Sequence, residues 1–148
     1  MHRLGFVYDD GGRAESGYRG TAGDCVCRSI AIVTGLQYRM VYKQLNDIAS
    51  TERKGSRKAG KSNARTGVYR TTYERFLKSI GWVWTPTMFI GKGCTVHMRR
   101  DELPPGPLIV SLSGHLSAII DGVEYSTFRS DRDGTRCVYG YWSPPPAY

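Results

Sequence analysis

His115-Leu116-Ser117-Ala118-Ile119-Ile120-Asp121-Gly122-Val123-Glu124-Tyr125-Ser126-Thr127-Phe128, residues 115–128, reads as two strands joined by a two-residue turn. Asp-Gly is favoured where both turn residues need positive φ. The turn sets the register: 120 pairs with 123, 117 with 126 and 115 with 128. His115, Ser117 and Ile119 then share a face with Glu124, Ser126 and Phe128. Around this hairpin lie further β signals at Trp82-Val83-Trp84, Met88-Phe89-Ile90, Thr95-Val96-His97-Met98, Leu108 to Leu112 and Cys137 to Trp142, punctuated by Gly, Pro and Asp.

Upstream the period changes. Asp24 is a good N-cap, and Cys25 to Val33 is apolar on most faces before Thr34-Gly35 supplies a stop, which predicts a short buried helix. Tyr38, Val41, Tyr42, Leu45, Ile48 and Ala49 recur at spacings of three and four, the stripe of a second helix. Thr71-Thr72-Tyr73-Glu74 matches a capping box, and Tyr73, Phe76, Leu77 and Ile80 carry a third apolar face to Gly81. A small strand around Phe6 and Tyr8 precedes an irregular, glycine-rich approach loop. Helices followed by strands predict an α+β fold, with N-terminal helices packed on a C-terminal antiparallel sheet.

The chain has 148 residues, 40% of them hydrophobic, which suits one domain over 1–148 with a single core. Its longest clean apolar run, Leu108 to Leu112, is strand-sized, so no membrane span is expected. The first residues carry no export-type apolar stretch, and a cytoplasmic location is expected. Formal charge is +8 and the isoelectric point ≈ 9.5, a balance that attracts nucleic acid or acidic proteins. The charge is concentrated in a basic loop, about 51–70, where Arg53, Lys54, Arg57, Lys58, Lys61, Arg65 and Arg70 meet no acidic residue from 53 onward. With Tyr69, Tyr73, Trp82 and Trp84 nearby, this stretch is a candidate surface for nucleic acid or an acidic protein, or a cover over a cleft. Ser143 to Tyr148, with three prolines, reads as a frayed tail.

Cys25, in the first turn of its helix, meets exposed backbone N–H groups and the positive end of the helix dipole, which favour thiolate over thiol. A nucleophilic thiolate needs a base that can later return the proton, and His115 on a rigid strand is the best supplier. Cys27, roughly 200° round the helix from Cys25, faces the core. Four cysteines permit two disulfides, but the expected compartment argues against them. Cys94-x-x-His97 is one metal-chelating pair; Cys25-x-Cys27 is too tight and too helical to be the second, so no metal site and no cofactor are assigned. Ile90-Gly91-Lys92-Gly93-Cys94 lacks the spacing of a phosphate loop and reads as a turn.

Gly23-Asp24-Cys25-Val26-Cys27-Arg28-Ser29-Ile30-Ala31, followed far downstream by Gly114-His115-Leu116-Ser117-Ala118-Ile119-Ile120 on a strand, resembles the papain-like cysteine peptidases. The likeness is greatest to compact bacterial members such as the bacteriocin-processing peptidases, and the layout is also similar to that of small phage proteins. The resemblance implies a nucleophile helix packed on a sheet that carries His and then an orienting Asp or Asn. It implies hydrolysis of a peptide or isopeptide bond in a peptide or protein substrate by Cys25 and His115. Arg19 stands where that family places its oxyanion Gln, and Asp24 adjoins the nucleophile, so these two are the oxyanion and substrate candidates. Register puts Ser126 diagonal to His115 as a weak orienting partner, while Asp131 is the carboxylate within reach by chain reversal. Asp121, on the order of 20 Å away along the strand, is a turn residue only. The alternative is a non-catalytic phage-type effector on the same scaffold, binding through the basic loop.

Overall fold

The computed structural model describes residues 2–20, 22–52 and 62–146. Helices α1 (Cys25–Thr34), α2 (Tyr38–Ser50) and α3 (Arg70–Ser79) lie between strand β1 (Gly5–Tyr8) and strands β2 (Val83–Pro86), β3 (Met88–Phe89), β4 (Gly93–Cys94), β5 (Pro107–Leu112), β6 (His115–Ile120), β7 (Val123–Ser126) and β8 (Gly140–Ser143). The α+β class read from the sequence is therefore present. The main sheet has six strands in the order β1-β7-β6-β5-β8-β2, and β3-β4 form a separate hairpin.

The β6-β7 hairpin has the register dictated by its turn, with Ile120 opposite Val123 and Ala118 opposite Tyr125. Asp121 (φ 49) and Gly122 (φ 77) hold the paired left-handed conformations that an Asp-Gly turn accommodates. The sheet is not wholly antiparallel, as expected, but mixed. β1 runs parallel to β7, Gly5 opposite Val123 and Tyr8 opposite Ser126, a pairing between segments too distant for local patterning to reveal.

Helix starts differ from their sequence signals. Asp24 makes no side-chain cap; its carboxylate accepts instead from Arg28 and Tyr38. α3 begins at Arg70, one residue before the expected capping box, so Thr71 lies inside the helix and Glu74 pairs with Arg70 instead of reaching back to a cap. The α1 stop is as read: Gly35 closes the helix at φ 74 with its N–H on the Ala31 carbonyl. Ser143, assigned to the tail, is the last residue of β8 and pairs with Val83.

Both faces of the sheet are covered. Ile109, Leu116 and Trp142 pack with Val26, Ile30, Val41, Leu45, Phe76 and Leu77 of the helices. Leu108, Val110, Leu112 and Ile119 point the other way, onto Leu4, Met98 and Val138. A strand buried on both sides reads as a continuous apolar run, which is why β5 shows little alternation. Each fully buried aliphatic side chain contributes about 1.5–3 kcal/mol. No helix among the described residues is long and apolar enough to cross a membrane.

The Cys94 and Cys137 sulfurs are joined in a disulfide, against the expectation from compartment. The β3-β4 hairpin and an isolated bridge between His97 and Cys137 bring them together across a separation of 43 residues.

Candidate active site

Cys25 is the first residue of α1 and His115 the first of β6. α1 lies on β6 and is tied to it by the Ser29 hydroxyl, which donates to the Leu116 carbonyl at 3.3 Å. This bond sits one residue from His115 and one helical turn from Cys25. The two residues line a common cavity of ≈ 450 Å³ with Val68, Arg70, Tyr73 and Ser111, and a second of ≈ 380 Å³ with Thr66 and Phe128. Cys25 is a free, half-buried cysteine. The Asp24 side chain does not cap α1, and the first-turn N–H groups of a helix have no acceptor within it.

His115 is held in an unusual state. Its Nε2 is buried and has no hydrogen-bond partner, and its ring packs on Phe128 with centroids 5.2 Å apart. Burial, reinforced by the positive charges of Arg28 and Arg136, lowers its pKa to about 4. The imidazole is therefore neutral at pH 7. Cys27 takes the buried place expected of it: its thiol contacts the Tyr38 carbonyl, and burial pushes its pKa up to about 12.

The remaining sequence candidates are placed elsewhere or engaged. Asp131 is buried, and its carboxylate accepts from Arg3 at 3.1 Å and from Arg129 at 3.5 Å. These two arginines, not the imidazole, are its partners. Ser126 accepts from Arg28 at 3.4 Å. Arg28 in turn forms a buried ion pair with Asp24 at 3.0 Å, and Tyr38 donates to the same carboxylate at 2.8 Å. Asp24 thus borders the cavity with its carboxylate already engaged. Arg19 lines a different cavity with Tyr18, Arg13 and Asp24, one that Cys25 and His115 do not line. Of the basic loop, Arg53, Lys54, Arg57, Lys58 and Lys61 lie outside the described residues. Arg65 donates to the Arg19 carbonyl, and Arg70 stacks on Trp84 at 4.7 Å while pairing with Glu74.

Sequence reasoning gave Arg70 and Tyr73 to a basic, aromatic binding surface or a cleft cover without placing them beside Cys25, and it missed Phe128 as a cavity wall and the two arginines that act on His115. Tyr73 carried the pattern of an ordinary core position, and only the packing of α3 beside β5 makes it a wall. Comparison with known proteins finds no matching family model, no matching curated protein and no matching solved structure.

Proposed function

We propose that the protein is a cysteine-nucleophile hydrolase of papain-like arrangement that cleaves a peptide or isopeptide bond. The observation that carries this reading is that Cys25, at a helix start without a side-chain cap, and His115, at the start of the strand beneath it, border the same two cavities. The neutral imidazole accepts the thiol proton as sulfur attacks the carbonyl carbon. The C–S bond forms, and the oxyanion is held by the first-turn N–H groups of α1. The imidazolium then gives its proton to the leaving amine as the C–N bond breaks, and water hydrolyses the thioester. A low imidazole pKa favours the neutral thiol–imidazole pair in the resting site and makes the imidazolium a strong acid toward the leaving group.

The test is a peptidyl Michael acceptor, with iodoacetamide as a reagent that needs no machinery. The expected result is labelling at Cys25, slowed about 100-fold or more by His115→Ala and His115→Gln, with iodoacetamide labelling of the same residue retained. Equal Michael-acceptor rates in wild type and both variants would overturn the proposal. A second reading, binding of a phosphate-bearing or acidic partner through the basic stretch, is favoured by one feature. The Arg70–Trp84 stack borders a cavity of ≈ 460 Å³ with exposed Phe89 and Ile90. Salt-sensitive retention on nucleic acid, lost in Arg70→Ala, separates it from the first.

A further inference from the structure

We propose that Cys94, His97 and Cys137, once the disulfide is reduced, form a zinc site. Their ligand atoms lie within 4.8 Å of one another, the one such group of three or more His, Cys, Asp or Glu side chains among the described residues. The scaffold beneath them is fixed from several directions. The Val138 N–H donates to the Val96 carbonyl at 2.8 Å, and the Met98 N–H to the Arg136 carbonyl at 2.9 Å. The Thr87 hydroxyl donates to the Val138 carbonyl at 2.7 Å, and the Thr95 hydroxyl to the Thr87 carbonyl at 2.8 Å.

A further observation points to a metal. Glu102 Oε1 accepts from the His97 backbone N–H at 3.2 Å and stands 3.1 Å from His97 Nδ1. A neutral imidazole that donates from Nδ1 carries its lone pair on Nε2, and a carboxylate on the far nitrogen is the arrangement that orients a metal-binding histidine. Two thiolates and one imidazole match the preference of zinc for sulfur and nitrogen, and the thiolates neutralise its charge. Zinc–sulfur bonds of about 2.3 Å at a tetrahedral angle set the sulfurs about 3.8 Å apart. Side-chain rotation reaches that separation from Cα atoms 5.8 Å apart. Three protein ligands leave the fourth position to water or a ligand.

The disulfide and the metal exclude each other. Reduction by a dithiol breaks the S–S bond and transfers two electrons and two protons to the pair, the dithiol becoming a disulfide. Zinc binding then displaces both thiol protons. The site is open only in the reduced chain.

The full chain, reduced anaerobically with a phosphine and separated from it, is titrated with zinc by calorimetry and with cobalt as an optical probe of tetrahedral thiolate ligation. The expected result is one ion per reduced chain, with thiolate-to-cobalt charge-transfer absorption, and none for the oxidised chain. Cys137→Ser and His97→Ala each weaken binding at least 100-fold, Glu102→Gln weakens it about 10–100-fold, and Cys25→Ser/Cys27→Ser leaves it unchanged. Absence of binding in the reduced wild-type chain, binding that survives in the oxidised chain or in Cys137→Ser, or loss in Cys25→Ser/Cys27→Ser would each overturn the proposal. The oxidised and reduced wild-type chains give a comparison that needs no substituted protein to fold.

Discussion

Acidification is expected to destabilise this protein through His115, in a pH window set by burial of that one ring. An imidazole normally titrates near 6.5, and in the folded chain burial and the Arg28 and Arg136 charges lower this to about 4. Between those values the unfolded chain holds a proton that the folded chain does not. Stability therefore falls as pH drops from 6.5 toward 4, is unaffected by this group above 6.5, and levels off below 4. At about 1.4 kcal/mol for each pH unit, the full loss is about 3 kcal/mol. Urea unfolding at pH 7, 5.5 and 4, on wild type and His115→Gln, isolates the effect, because Gln keeps a polar side chain that does not titrate. The wild-type midpoint should fall by about 1–3 M more than that of the variant across the series. If the two midpoints move together, the imidazole is solvated or otherwise compensated. The neutral base assumed for the hydrolytic mechanism then loses its physical basis.

Two further outcomes follow from packing and charge. Arg28→Met leaves the Asp24 carboxylate buried without its cation and should cost about 3–5 kcal/mol in urea unfolding, most of it restored by adding Asp24→Asn. Gly140→Ala would drive a Cβ into the Trp84 ring and to 2.7 Å from the Thr85 carbonyl oxygen, and should lower stability by about 1–3 kcal/mol in thermal unfolding. Trp84→Ala relieves only the first clash, so the double variant should remain below the Trp84→Ala single variant.

What the sequence made legible was local in physical origin. The Asp121-Gly122 turn imposes the register of β6 and β7, and Gly35 ends α1 because a left-handed residue was needed there. Features decided by distant partners were not legible. The parallel docking of β1 on β7 depends on backbone pairing across most of the chain. Thr71 and Glu74 matched a capping box, yet Thr71 lies inside α3 and Glu74 pairs with Arg70. Asp131 was within chain reach of His115, but Arg3 and Arg129 take its carboxylate, and nothing in the spacing weighs those competitors. Cys94 and His97 showed as a pair, whereas the third member, Cys137, arrives through a bridge that no short motif encodes. The same division holds at the site. Cys25 and His115 stood out by position on their own elements, while the walls and the arginine field depend on how α3 and the sheet assemble.

The parallel pairing of Gly5–Tyr8 with Val123–Ser126 has a consequence for synthesis on the ribosome. Gly5–Tyr8 must wait, unpaired, while more than a hundred further residues are made, since its sheet neighbour among the described residues is Val123–Ser126. Such long-range closure is slow and leaves a bare strand edge available to other chains in the interval. A nascent chain stalled before residue 123 would keep β1 sensitive to protease, and emergence past residue 126 would protect it, so completion of this sheet edge is coupled to emergence of β7.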